Sequence, residues 1–234
     1  MSRTIVVGDV HGCADELDTL LDRVAFTTGD RLVFVGDLVA RGPKSREVLD
    51  IVRRTGALMV RGNHEERLLE GRERIDRRLR SRIHTDVARS LRDDHWHLLE
   101  LAPYALELPE HKLAIVHAGV VPGIPFHAQK KEALLRMRTL DSRGRPDEKH
   151  GPRLWGTVYR GPPHIVFGHN ANGLPQFHVW ATGIDTGCVY GGKLTAIVLQ
   201  QGESMARGTK VRGSLVSVRA RHEYYASGRV KRVA

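Results

Sequence analysis

The chain has 234 residues, 27% of them charged and 41% hydrophobic, and a formal net charge of +10. This fits a soluble globule of one large domain or two small ones, and no apolar run approaches the length of a membrane span. The N-terminus, Met1 to Val7, has no signal-peptide layout, and Cys13 and Cys188 are too few for a disulfide framework, so the expected location is the cytoplasm.

The first strand signal is Thr4 to Val7, which ends in Gly8-Asp9-Val10-His11-Gly12. Leu17, Leu20, Leu21 and Val24 then follow at helical spacing. A second run, Leu32 to Val35, ends in Gly36-Asp37. Val48, Ile51 and Val52 form the next helical pattern, with Pro43 near its start and Gly56 at its end. Ala57 to Val60 leads into Arg61-Gly62-Asn63-His64. Residues 64–111 read as mostly helical and highly charged, with an Arg-rich stretch from Arg67 to Arg82. Leu113 to Val116 ends in His117-Ala118-Gly119, and residues 120–163 look irregular. Ile165 to Phe167 ends in Gly168-His169.

Beyond His169, the segments Gln176 to Ile184, Lys193 to Gln200 and Gly213 to Arg219 read as antiparallel strands. Gly191-Gly192 fits a tight hairpin turn between two of them. The expected organisation is one domain over residues 1–200, with a basic strand or tail at 201–234 completing or trailing it. For the Arg-rich stretch and the tail, the plain readings are a solvated face and a frayed end.

Short, nearly continuous apolar runs suit strands buried on both faces. Alternated with helices they imply an α/β sheet, whose ligands gather beyond the carboxyl ends of the strands. Asp9, His11, Asp37, Asn63, His64, His117 and His169 all follow strand ends. Carboxylates, imidazoles and an amide oxygen are ligands for first-row metals of intermediate hardness, and the absence of thiolates argues against a structural zinc site. Asp9 and His11, two apart in an extended segment, point the same way. Asp37 has two oxygens and can bridge two ions. Each signal is weak alone; their joint placement is not.

In this order, GDVHG, GDLVARG, GNHE, HAG and GHN resemble the calcineurin-like metallophosphoesterases. Within these they resemble the phosphoprotein-phosphatase branch, and most nearly the symmetrical diadenosine tetraphosphate hydrolases. The resemblance spans about residues 4–200. It implies two packed β-sheets flanked by helices and two divalent metal ions, Mn²⁺ with Fe, Co, Ni or Zn as alternatives. It implies that Asp9, His11 and Asp37 bind one ion and that Asp37, Asn63, His117 and His169 bind the other. His64 would be the general acid, and Arg41 and Asn63 would contact substrate phosphate. Arg138 and Arg136 of "LLRMRTLD" are candidates for a second phosphate clamp, and Asp185 and Tyr190 are expected near the site.

Position 40 bears on the substrate. Protein phosphatases of this branch carry aspartate there, paired with the general-acid histidine; this chain has Ala40. An alkoxide needs a proton to leave, whereas a nucleotide leaves from a polyphosphate as an anion whose second pKa is about 6. The missing carboxylate therefore favours a polyphosphate substrate. Asp185 to Ala196 also resembles the wording of symmetrical tetraphosphatases, while Glu65 and the short span from His117 to His169 depart from it. The expected reaction is symmetrical cleavage of diadenosine tetraphosphate to two ADP by a metal-bridged hydroxide, with capped RNA as a further substrate. A protein or small-molecule phosphomonoesterase is the alternative. A basic nucleic-acid-binding module is the alternative of another class; it leaves the ligand set unexplained and lacks stacking platforms, aromatics being 6%.

Overall fold

The computed structural model describes residues 2–72 and 82–226. Its strands are β1 (Thr4–Val7), β2 (Arg31–Phe34), β3 (Leu58–Met59), β4 (Ala105–Leu108), β5 (Leu113–Val116), β6 (Thr139–Leu140), β7 (Pro146–Asp147), β8 (His164–Phe167), β9 (Gln176–Phe177), β10 (Ala181–Gly183), β11 (Lys193–Leu199) and β12 (Leu215–Arg219). One five-stranded sheet runs β12-β11-β1-β2-β3 and the other β4-β5-β8-β10-β9, with β6 and β7 as a small separate hairpin. β1, β2 and β3 are mutually parallel, as are β5, β8 and β10.

The sandwich explains why the runs are apolar throughout. Successive strand residues face opposite ways. Ile5 and Val7 of β1, with Leu32 and Phe34 of β2, face an outer core with helices α1 (Ala14–Arg23) and α2 (Ser45–Thr55). Val6 and Val33 face inward, meeting Leu113, Ile115 and Val166 of the second sheet. Ala114, Val116, Ile165 and Phe167 face a third core that includes Leu134 of α6 (Lys131–Arg136) and Trp155. Each fully buried aliphatic side chain contributes roughly 2 kcal/mol, so this frame can hold irregular loops at its edge. α2 stops where expected, at Gly56 with φ 62°.

The structure differs from the sequence expectation in several places. Gln176 to Ile184 is not one strand: β9 and β10 pair antiparallel across a turn in which His178 N donates to Ala181 O at 2.8 Å. Nor do Gly191 and Gly192 turn a hairpin between neighbouring strands. β10 and β11 lie in different sheets, and the turn closes on itself through Gly192 N to Gly187 O at 3.0 Å. Residues 64–111 are helical in α3 (Asn63–Arg72), α4 (Arg82–Ser90) and α5 (Asp93–Leu101), but end in the edge strand β4. The irregular span 120–163 contains α6 and the β6–β7 hairpin.

Cys13 and Cys188 are free and buried. Residues 73–81 of the Arg-rich stretch and 227–234 of the tail lie outside the described residues. Within the described part of the tail, β12 pairs with β11 along five residues. Among the described residues, no helix is long and apolar enough to cross a membrane.

Candidate metal centre

The loops beyond β1, β2 and β8 are built from strained backbone. His11 (φ 48°), Asp37 (49°), Ala40 (68°), Arg41 (71°) and His169 (63°) all lie in the left-handed region. Each such residue costs on the order of 1 kcal/mol and persists only where its surroundings over-determine it. Here they do. Asp37 O accepts His11 N at 2.8 Å, joining the first two loops. The buried Glu65 carboxylate accepts four backbone N–H groups: Asp37 (2.8 Å) and Gly62 (2.9 Å) on Oε2, Leu38 (2.8 Å) and Val39 (3.2 Å) on Oε1. Close approach also fixes a glycine: a Cβ on Gly168 would lie 1.9 Å from Asp9 Oδ1.

Asp37 stands at the centre. Its Oδ2 lies 3.5 Å from His11 Nε2 and 3.4 Å from His117 Nε2. Its Oδ1 accepts the His64 N–H at 2.9 Å, at the positive end of α3. Two triplets converge on it: His11, Asp37 and His64, and Asp37, His117 and His169, each with ligand atoms within 4.8 Å of one another. Asn63 Oδ1 adds to the second, 3.0 Å from His117 Nε2. Asp9 stands beside the triplets rather than in either, its oxygens accepting His169 N at 3.0 and 3.2 Å.

The donor set fits divalent cations. Both His11 and His117 direct Nδ1 to backbone carbonyls, Val39 O at 3.1 Å and Val35 O at 3.0 Å. A neutral ring that donates through Nδ1 carries a lone pair on Nε2. For His117 that lone pair faces Asp37 Oδ2, Asn63 Oδ1 and, at 3.1 Å, His169 Nδ1. Such a convergence of acceptors calls for positive charge.

The titration equilibria say the same. Burial and then the charges of Asp185 and Asp37 push Asp9 up, while burial and Asp37 push up Asp185. Burial opposes charge on Asp37 and His117, but their mutual attraction wins, holding Asp37 low and His117 high, so that a proton on His117 answers the same demand for positive charge that a bound cation would. Burial takes His11 down to about 4 and lowers His64 and His169 as well. Those rings are neutral at pH 7, the state that ligates a metal.

The remaining predicted residues divide. Arg41 Nη1 lies 2.7 Å from His11 Nε2, beside the first triplet. Arg138 Nη1 donates to His169 O at 2.7 Å, beside the second. Arg136 ends α6 and has no side-chain hydrogen bond or ion pair among the described residues. Tyr190 lies with its ring centroid 5.5 Å from the Arg41 guanidinium. Asp185 is buried, its Oδ1 accepting Gly187 N at 3.0 Å.

Sequence reasoning missed two residues. His84 of α4, buried, puts Nε2 3.0 Å from His64 Nδ1, so His64 has a side-chain partner although position 40 is alanine. Its signal, a lone histidine in a charged helix, is indistinguishable from a solvated one. The other is Glu65, noted only as a departure, whose extra methylene relative to aspartate lengthens its reach to the Asp37 loop.

The chain matches the calcineurin-like phosphoesterase family over residues 2–203. It is 34% identical to the asymmetrical bis(5'-nucleosyl)-tetraphosphatase PrpE of Halalkalibacterium halodurans, over 82% of this chain and 88% of that one. It is 29% identical to the protein of the same name from Bacillus subtilis, over 86% of this chain and 92% of that one. A crystal structure of a candidate diadenosine tetraphosphatase superimposes with a TM-score of 0.81, at 34% identity and covering 93% of both chains. The chain belongs to the calcineurin-like phosphoesterase family and is a metal-dependent hydrolase.

Proposed function

We propose that the protein hydrolyses the phosphoanhydride chain of dinucleoside polyphosphates of the diadenosine tetraphosphate kind. The observation that carries this is the pair of guanidiniums at opposite ends of the Asp37 cluster: Arg41 on His11 and Arg138 on His169. Two separated cations suit a substrate with several phosphates better than one with a single phosphate. The names of the relatives point to the same substrate.

In this reading Asp9, His11 and Asp37 hold one divalent ion, and Asp37, Asn63, His117 and His169 hold the other. Mn²⁺ is the proposed metal; Fe, Co, Ni and Zn suit the same donors. When bound, the ions supply positive charge to the phosphate oxygens and acidify water. Arg41 and Arg138 orient the polyphosphate and neutralise charge on its oxygens as the anhydride breaks. His64 is neutral, so its contribution depends on which member of the His64–His84 pair holds the shared hydrogen. With His84 as donor, the other ring nitrogen of His64 carries a hydrogen that it donates in a hydrogen bond to a leaving oxygen, stabilising the charge there without giving up the proton.

The relatives are named asymmetrical, which favours an unequal split of the four-phosphate chain into ATP and AMP. The second reading, two ADP, rests on the wording GDLVARGP and Asp185 to Ala196. Incubation with Mn²⁺ and diadenosine tetraphosphate, with products separated by ion exchange, decides between them. ATP with AMP supports the first and ADP alone the second. Phosphate release from a phosphoserine peptide, with the dinucleotide left intact, overturns both in favour of a phosphomonoesterase.

A further inference from the structure

The chain after β12 folds back onto the site. Ala220 N donates to Gly192 O at 2.9 Å, and Tyr224 N and Tyr225 N both donate to Val189 O at 3.0 Å. Tyr190 and Glu223 form an isolated antiparallel bridge. Glu16, buried in α1, fastens the segment from below: its Oε1 accepts Arg221 N at 2.8 Å and the Tyr224 hydroxyl at 2.9 Å. So the tail is anchored on the Cys188–Tyr190 turn, next to Asp185.

This anchoring sets a second tyrosine beside the metal centre. The Tyr225 ring lies 6.3 Å from that of Tyr190, their planes 60° apart. Arg41 is shared between them, its guanidinium carbon 5.5 Å from the Tyr190 centroid and 5.9 Å from that of Tyr225. The same guanidinium reaches His11 Nε2 at 2.7 Å. Arg41 thus links the cluster to an aromatic wall. Tyr190 is largely buried, whereas Tyr225 is 37% exposed and offers part of its ring to an incoming group.

We propose that Tyr225, backed by Tyr190, is the stacking wall for a nucleobase of the substrate. A phosphate held by Arg41 sends its ribose and base outward, and the aromatic surface beside Arg41 is this one. Stacking on a tyrosine is tolerant of base identity, so the site takes nucleotides without reading the edges of the base. This rests on the reading that the substrate is a nucleotide. It adds which end of the molecule binds the nucleoside and assigns a role to a segment outside the matched family region, residues 2–203.

The test is calorimetric titration of the Mn²⁺-loaded protein with AMP, with inorganic phosphate and with phenylphosphonate, whose C–P bond is not hydrolysed. Tyr225→Ala should weaken AMP about tenfold, the size of one base–aromatic stack, and change phosphate less than twofold. Tyr225→Phe should keep AMP within twofold of wild type, since the ring and not the hydroxyl does the work. Parallel loss of AMP and phosphate, or no loss of AMP, overturns the proposal. Equal losses for phenylphosphonate and AMP would assign the wall to an aryl ester instead. Because the readout is binding, it stands apart from turnover: if diadenosine tetraphosphate is not cleaved the reaction above fails, while the AMP-to-phosphate comparison still judges the wall.

Discussion

Nδ1 of His64 lies 3.0 Å from Nε2 of His84, and the two rings meet edge to edge, with centroids 5.0 Å apart and planes 15° from parallel. One hydrogen joins two buried rings, and burial holds both in the neutral form, His84 down to about 4. A neutral partner fixes the orientation and tautomer of His64 without adding charge. This differs from a carboxylate partner, which would favour imidazolium.

His84→Ala should therefore lower turnover selectively. We expect about a tenfold fall in kcat with phenyl phosphate, a poor leaving group, and less than threefold with p-nitrophenyl phosphate. His84→Gln, which can still hydrogen-bond Nδ1, should recover part of the loss. An equal fall with both esters would mean that His84 serves packing alone.

Glu65 carries a second expectation. In Glu65→Gln, the amide –NH₂ replaces one carboxylate oxygen and confronts two backbone N–H groups of the loop that holds Asp37. The cost of burying that mismatch is about 2–3 kcal/mol. Urea denaturation of the metal-free protein measures it, and a change below about 0.5 kcal/mol would show that the loop does not depend on Glu65.

Acid sensitivity should come partly from His164, far from the centre. Its Nε2 pairs with Thr182 Oγ1 at 2.9 Å across β8 and β10, and its buried Nδ1 has no hydrogen-bond partner among the described residues. Burial, with Arg207 adding to it, lowers its pKa from 6.5 to about 4. Between those values the unfolded chain binds a proton that the folded chain does not. Stability is thus full above pH 6.5, falls as pH drops, and levels off below about 4. At 1.36 kcal/mol per unit, wild type should lose about 2 kcal/mol more than His164→Gln between pH 6.5 and 4.5 in urea titrations. Parallel pH profiles would contradict this.

Much of the candidate centre is legible in the sequence because the strands that carry it are parallel and buried on both faces. Their apolar runs stand out, and their carboxyl ends point to one edge. Asp9, His11, Asp37, His117 and His169 are found by following those runs to their ends. What could not be read comes from elements without that constraint. α4 delivers His84 from a charged helix whose packing no local pattern announces, and a tail that read as frayed delivers Tyr225. β9 and β10 read as one strand because the turn at His178 to Trp180 contains neither glycine nor proline. β4 was lost in the helical stretch because only Leu108 of its four residues is buried, so no apolar run marks it.

Asp37 is proposed to serve two metal ions at once, and this fixes how many ions the protein binds. After dialysis against Mn²⁺ and gel filtration, elemental analysis of wild type should find two ions per chain. Asp37→Asn, folded by circular dichroism, should lose both ions together with turnover. Two ions and near-normal turnover in Asp37→Asn would show that Asp37 does not join the two metal sites.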